Sequence, residues 1–259
     1  MRKTLLTSVS AAALTCSAAM PAVAAPPFSW TGFYVGANAG YAWGNTDPTL
    51  IGSVSVAPFF LTGTTGAPPH LGPAGFIGGG QAGYNWQIGQ WLLGGEVDFS
   101  GIDAKASASL SPFFIGKGNR RTLTWSSQYD WLFTARARGG FLIDPNWLFY
   151  VTGGLAVTRV KDSAICSTPS NGTCGDFNAG TDITWSDSRT LTAGTIGGGV
   201  EARFWQNWSA RVEYLYANFK DTTPPTTSAP TSFTPVPPLF SFNHTLNVVR
   251  FAINYQFSP

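Results

Sequence analysis

The feature that most constrains this chain is a two-residue alternation, with ring-bearing side chains on one parity and ionised ones on the other. Between Phe33 and Trp43 the odd positions are Phe33, Val35, Ala37, Ala39, Tyr41 and Trp43; the even ones are Tyr34, Gly36, Asn38, Gly40 and Ala42. Period two marks a β-strand whose faces meet different surroundings. Seven further windows read alike: 74–87, 91–101, 122–143, 147–160, 190–204, 208–219 and 244–257. The longest, 122–143, places Leu123, Trp125, Tyr129, Trp131, Phe133 and Phe141 on its apolar face.

With faces assigned by aromatics alone, the strand charges sort themselves. Glu96, Asp98, Asp130, Arg136, Arg138, Glu201, Arg203, Arg211, Glu213 and Arg250 all fall on the non-aromatic parity. Arg159 breaks the parity, but at the outer end of its strand. A water-soluble barrel puts apolar residues inside and charge outside. With the aromatics outward, the opposite scheme results. It suits hydrocarbon, where a charge near the midplane costs roughly 2–4 kcal/mol and the backbone must satisfy itself by closing the sheet.

The windows are long enough for that task, since a tilted strand of about 9–11 residues spans the apolar thickness. No apolar run of about 20 residues free of Gly and Pro follows residue 24, so no spanning helix is expected. Connections at 88–90, 144–146 and 205–207 are short, whereas those at 45–73, 102–121, 162–188 and 221–242 are long. Short turns at one end and long loops at the other are the pattern of an outer-membrane barrel. Trp91, Trp147 and Trp208 each follow a short turn and read as aromatics at the periplasmic interface; Trp30 is off the parity of its own strand.

Residues 1–24 read as an export signal. Arg2 and Lys3 precede a short apolar stretch, and Ala22-Val23-Ala24 is a small-x-small cleavage site. Its removal takes two cations from a chain of net charge +2, leaving residues 25–259 near neutral, which gives no basic footprint for nucleic acid. Only 11% of residues are charged and 14% aromatic, which excludes global disorder. Cys16 leaves with the signal. Cys166 and Cys174 remain, an even pair that reads as a disulfide in an exported chain. Closing so short a loop stabilises by roughly 2–3 kcal/mol.

Several segments carry a family resemblance. Trp30-Thr-Gly-Phe-Tyr-Val-Gly-Ala-Asn-Ala-Gly-Tyr-Ala-Trp43 resembles the first strand of the small outer-membrane barrels of alphaproteobacteria, related to opacity proteins and the OmpA transmembrane domain. Gly80–Trp86, Tyr150–Ala156 and Arg211–Tyr216 are similar to later strands of that family. The resemblance implies an all-β fold: an eight-stranded antiparallel up-and-down transmembrane β-barrel with long extracellular loops and short periplasmic turns. It also implies the Gram-negative outer membrane, with its lipid, lipopolysaccharide and assembly machinery as partners. Members usually end on an aromatic residue, whereas here Phe257 is followed by Ser258 and Pro259.

For function, eight strands leave an interior that side chains can fill. Five acids and five arginines on the inward parity point to a mutually neutralising network, since the planar guanidinium meets carboxylates bidentately. Small inward residues (Gly36, Gly94, Thr152, Gly154) leave room for a narrow path. The chain therefore reads as an envelope structural component or narrow porin. Binding or adhesion through the outer loops, to a host ligand or haem, is the alternative, with His70 and His244 as candidate haem ligands. No cofactor, metal or catalytic residue is assigned. Gly78-Gly-Gly-Gln-Ala-Gly83 fits a dinucleotide fingerprint but lies inside a strand, and Ser241 near His244 is a chance neighbour.

Overall fold

A computed structural model of the chain describes residues 29–50, 70–115, 119–167, 183–221 and 240–257. They form eight strands: β1 (Gly32–Leu50), β2 (Ala74–Ile88), β3 (Trp91–Ile115), β4 (Asn119–Asp144), β5 (Trp147–Ser167), β6 (Ile183–Trp205), β7 (Trp208–Asp221) and β8 (Phe240–Gln256). Each pairs antiparallel with its neighbours, and β1 pairs with β8, so the sheet closes into a barrel without an edge through its body. The expected fold class holds. Closure continues to the last described residue, where Phe257 N donates to Phe33 O at 2.8 Å.

At one end the strands are joined by the two-residue turns Gly89–Gln90, Pro145–Asn146 and Gln206–Asn207. Gly89 takes φ +62, a left-handed conformation that a residue with a Cβ rarely adopts. At the other end the strands run well past the alternating windows. The segments expected as long loops at 45–73, 102–121, 162–188 and 221–242 are in part sheet: β1 continues to Leu50, β3 to Ile115, β5 to Ser167, and β4, β6 and β8 begin at Asn119, Ile183 and Phe240. Beyond the bilayer both faces of a ribbon meet water, so the ladder persists while the apolar alternation that reveals it fades, as in Ala106-Ser-Ala-Ser109.

The outer wall is apolar. Phe33, Phe76, Phe99, Phe133, Val151, Ile196, Val212 and Phe251 are exposed side chains of the eight successive strands. Rings pair across the ladders, Trp91 on Phe141 and Trp208 on Tyr255 edge-on at 5.1 Å and Phe33 on Tyr84 at 4.7 Å. So continuous an apolar surface has no soluble equivalent at this size. Trp91, Trp147 and Trp208 are the exposed first residues of β3, β5 and β7, directly after the turns.

Register shifts interrupt the ladders at several places, and the one in β4 turns side chains expected outward to the inside. The β4 ladders shift register on both sides of Asp130, between Tyr129 and Trp131 toward β5 and between Gly101 and Ala104 toward β3. Trp131 and Phe133 keep the outward face below this irregularity, but Tyr129 above it is fully buried inside. Tyr129 therefore does not share the outward face expected for it. One unpaired residue in a ladder turns every following side chain to the other side.

Candidate functional site in the barrel interior

The interior is built in three layers. The lowest, beside the short turns, is apolar: Trp30, Leu92, Leu142, Leu148 and Tyr150 are buried together. Trp30 precedes β1 and folds up into the mouth. Its backbone N donates to Gln87 Oε1 at 2.8 Å, and its indole Nε1 donates to Pro145 O at 3.0 Å. The Arg203 guanidinium lies 4.6 Å over its ring. Gln256 Nε2 ties down the same segment through Ser29 O and Thr31 O, at 3.1 and 2.9 Å.

Above it lies an ionic belt of four arginines and four carboxylates, none of these side chains more than 3% exposed. Arg136 reaches Glu96 at 2.5 Å and Asp98 and Glu213 at 3.0 Å, and its Nε donates to Thr134 Oγ1 at 2.9 Å. Arg211 closes a fork on Glu96 at 2.5 and 2.8 Å. Arg250 bridges Asp98 at 2.9 Å and Glu213 at 2.6 Å. Arg138 donates to Glu201 at 2.8 Å and to Tyr34 OH at 3.1 Å, with its guanidinium 4.1 Å from the Tyr150 ring centroid. The remaining acceptor positions are filled by neutral donors. Tyr34 OH donates to Glu96, Tyr150 OH to Glu213, Ser209 Oγ and Asn254 Nδ2 to Glu201, and Thr134 Oγ1 to Asp98. Formal charge within the belt sums to zero.

Local pairing explains part of this arrangement. Glu96 faces Arg136 across β3–β4, and Glu213 faces Arg250 across β7–β8. Directly opposed, oppositely charged cross-strand pairs stabilise a sheet. The rest crosses the lumen, which demands a narrow barrel. Small inward residues make that narrowness possible, and beside two of them the space is already occupied. A Cβ at Gly36 would lie 2.1 Å from Asn254 Oδ1, and one at Gly94 would lie 2.7 Å from Asn85 Oδ1. The space those glycines offer is filled by neighbouring amides and by Arg138.

The third layer, toward the long connections, is again apolar. Ile77, Ile102, Leu132, Val160, Leu191, Leu215, Phe219, Leu246 and Val248 are buried with Tyr129. His244 is also buried here, its Nδ1 3.1 Å from Thr46 Oγ1. Periodicity hid this layer, because its residues share a parity with the belt.

Two of the ten charges expected inside stand elsewhere. Asp130 sits at the β4 irregularity, where it pairs with the half-exposed Lys161 at 2.7 Å and accepts from Gln128 Nε2 at 3.2 Å. Register slip turns it out of the interior. Arg203 lies at the periplasmic mouth against Trp30 and outside the belt. His70 is exposed at the outer rim with its side chain 2.7 Å from Asp47, whereas His244 is buried on Thr46. Ala22, Ala24 and Cys174, and with them the cleavage site and the disulfide, lie outside the described residues, as does the Cys166 side chain at the end of β5.

Residues 9–234 match the outer membrane protein beta-barrel domain family. This chain belongs to that family. As an outer membrane protein beta-barrel it is 33% identical over 233 residues to the 31 kDa outer-membrane immunogenic protein of Brucella melitensis, covering 84% of this chain and 87% of that protein. It is 29% identical to the 22 kDa outer membrane protein of Rhizobium leguminosarum, covering 75% of this chain and 67% of the relative. Among solved structures it is similar to the outer membrane protein OprG from Pseudomonas aeruginosa, with 10% identity, 88% of this chain and 97% of that one covered, and a TM-score of 0.46. The barrel is an outer-membrane protein of the Gram-negative envelope.

Proposed function

We propose that this outer-membrane beta-barrel is a closed envelope component whose interior bars the free passage of solutes. The observation that carries the reading is the neutral belt of Arg136, Arg138, Arg211 and Arg250 with Glu96, Asp98, Glu201 and Glu213, enclosed between two apolar layers. An ion entering the lumen would have to displace charge-assisted hydrogen bonds that are already made, and to cross apolar side chains first. Trp30 reinforces the closure from the periplasmic end. No catalytic role belongs to this reading, and a narrow passage for small solutes is its direct rival.

The experiment is conductance of the refolded protein in planar bilayers, with a solute-size series. Closure is supported by the absence of stable channels. Large, lasting conductance overturns it, and a small conductance with a sharp size limit establishes the narrow porin.

A second reading concerns the outer end. The strands continue beyond the apolar wall, and relatives are named outer-membrane immunogenic proteins, which fits an exposed outer surface. We infer that recognition of a host ligand or haem would take place there. His70 is open to solvent while His244 is enclosed, so a haem-binding role falls to His70 before His244. Haem titration of H70A and H244A variants tests it: loss of binding in H70A supports this assignment, and unchanged titration in both removes histidine from it.

A further inference from the structure

One seam of the closed sheet opens early. The β6–β7 ladder ends at Thr195 opposite Ala217, nine residues after Trp208. Its register would continue with Ala193 opposite Phe219 and Leu191 opposite Asp221, yet no ladder joins them, although both strands run on. Other ladders go further. β7–β8 stays paired to Asp221, 13 residues after Trp208, and β2–β3 to Lys105, 14 after Trp91. β1 loses β2 at Trp43 but bonds on to the segment before it, through Gly44 N to Pro73 O at 2.9 Å and Thr46 N to Leu71 O at 2.8 Å. At the β6–β7 seam Thr195 Oγ1 donates to Tyr216 O at 3.0 Å, which ties off the last rung.

The seam opens at a telling depth. At about 3.3 Å per residue and a tilt near 40°, nine residues rise roughly 23 Å, close to the upper edge of an apolar band about 25 Å tall. Unpaired backbone is tolerated there only where it is covered by protein or lines a cavity. Behind the seam lies the upper apolar layer of the interior. Leu191 and Ala193 border the seam and are the most exposed members of that layer, at 9% and 8%, whereas Phe219, Leu246 and Val248 are at most 1% exposed. On the lipid side Gly194 leaves open space, since a Cβ there would meet nothing within 4 Å. Below, Glu213 and Arg250 of the belt are the next inward residues after Leu215 and Val248, so the layer has a closed floor. Lys220 stands at the mouth, exposed and adjoining Phe219. Unlike Lys105 and Lys161, it makes no ion pair among the described residues. Arg189 of the facing strand is engaged with Asp162 at 3.1 Å.

We propose that the β6–β7 seam is a lateral slot through which a single-chain fatty acid enters the upper interior layer. Its alkyl tail lies among Leu191, Ala193, Leu215 and Phe219, and its carboxylate meets Lys220 and the open backbone N–H groups of the seam. Depth and lining select hydrocarbon, while the cation and the open donors select an anionic head. One missing ladder is a narrow gap, suited to one alkyl chain and not to a diacyl lipid. Phe219, which no ladder holds to β6, is the side chain that turns aside. The inference rests on outer-membrane placement and goes beyond the closed-lumen reading: the pocket is blind at the belt, so it fills whether or not the barrel conducts.

Full-length protein refolded in lipid vesicles is irradiated with palmitate carrying a terminal diazirine, and the labelled residues are mapped by mass spectrometry. Label is expected on Leu191, Ala193, Leu215 or Phe219. Excess palmitate should reduce it severalfold and leave label on the wall residues Phe33 and Val151 unchanged. Label confined to the wall overturns the proposal. Hexadecanol should compete severalfold less well than palmitate, and K220Q should remove that difference; equal competition in the natural chain overturns the carboxylate assignment. Phosphatidylglycerol with the same photoreactive chain should label the wall alone, and inner label from it overturns the single-chain occupant. G194C/N218C sets two cysteines at facing positions of the continued register. Oxidation should abolish the inner label and reduction restore it, while the natural chain responds to neither. Inner label that survives the closed bond overturns the slot as the route. If the bond does not form, A193F, which fills the layer beside the seam, should lower the inner label severalfold, and unchanged label overturns the route.

Discussion

Arg211 closes its guanidinium on Glu96 across the lumen at 2.5 and 2.8 Å, although Glu201 stands directly opposite it in the β6–β7 ladder. Glu201 is taken instead by Arg138. The belt is thus a three-dimensional network, and each member depends on residues far away in sequence. Removing Arg211 alone leaves the belt with an uncompensated buried negative charge, whereas removing it together with the charge of Glu96 keeps the belt neutral. Arg211→Met is expected to destabilise the barrel by about 3–5 kcal/mol. The double variant E96Q/R211M should lose less than R211M alone. Urea unfolding in detergent, followed by tryptophan fluorescence, measures both; equal losses would refute the coupling.

The belt's burial also sets its response to salt. Buried pairs are screened far less than exposed ones. The unfolding midpoint of the natural chain should therefore change little between about 0.05 and about 1 M salt. A steep fall would mean that the belt is open to solvent ions.

The lipid wall makes a contrasting demand. Val151 is 69% exposed in β5, flanked by the inward Tyr150 and Thr152. V151R should cost roughly 2–4 kcal/mol in lipid vesicles. The same substitution should cost much less in a water-soluble barrel, so an unchanged unfolding midpoint would contradict the assignment of this face to hydrocarbon.

Trp30 closes the lower mouth, but the belt lies above it. W30A should destabilise by about 3–5 kcal/mol, as large aromatic truncations do, and should still show no stable channels in planar bilayers. Conductance appearing in W30A alone would make the indole the principal barrier.

Two readings of the sequence bear on segments outside the described residues, and one experiment reaches both. We propose cleavage after Ala24 and a Cys166–Cys174 bond. Intact mass of protein purified from the envelope, with and without reduction before alkylation, should give a chain beginning at Ala25 whose cysteines alkylate only after reduction.

Much of the fold was legible because hydrocarbon imposes a strict rule on every second residue. Eight of the ten inward charges identified by parity, from Glu96 to Arg250, meet in one belt. The failures have local causes. Asp130 and Tyr129 lie at a register shift, which nothing in their residue types announces. Trp30 looked like a poor interface residue because it belongs to no strand and caps the mouth instead. Leu132, Leu215 and Val248 escaped notice because an apolar residue on the inward parity looks like noise in an alternation scored by rings. The outer strand ends, such as Ala106 to Ser109, carry too few large apolar residues to mark them as strand in the sequence.

β3 and β4 are 25 and 26 residues long and remain paired to Ile115 and Asn119. At about 3.3 Å per residue and 40° of tilt, such a hairpin rises roughly 60 Å, more than twice the apolar band. Up to the Ile115–Asn119 pair it is a hydrogen-bonded mast and not a slack tether. A partner reaching Ile115 or Asn119 would therefore meet paired backbone, at a distance from the lipid set by the length of the ladder.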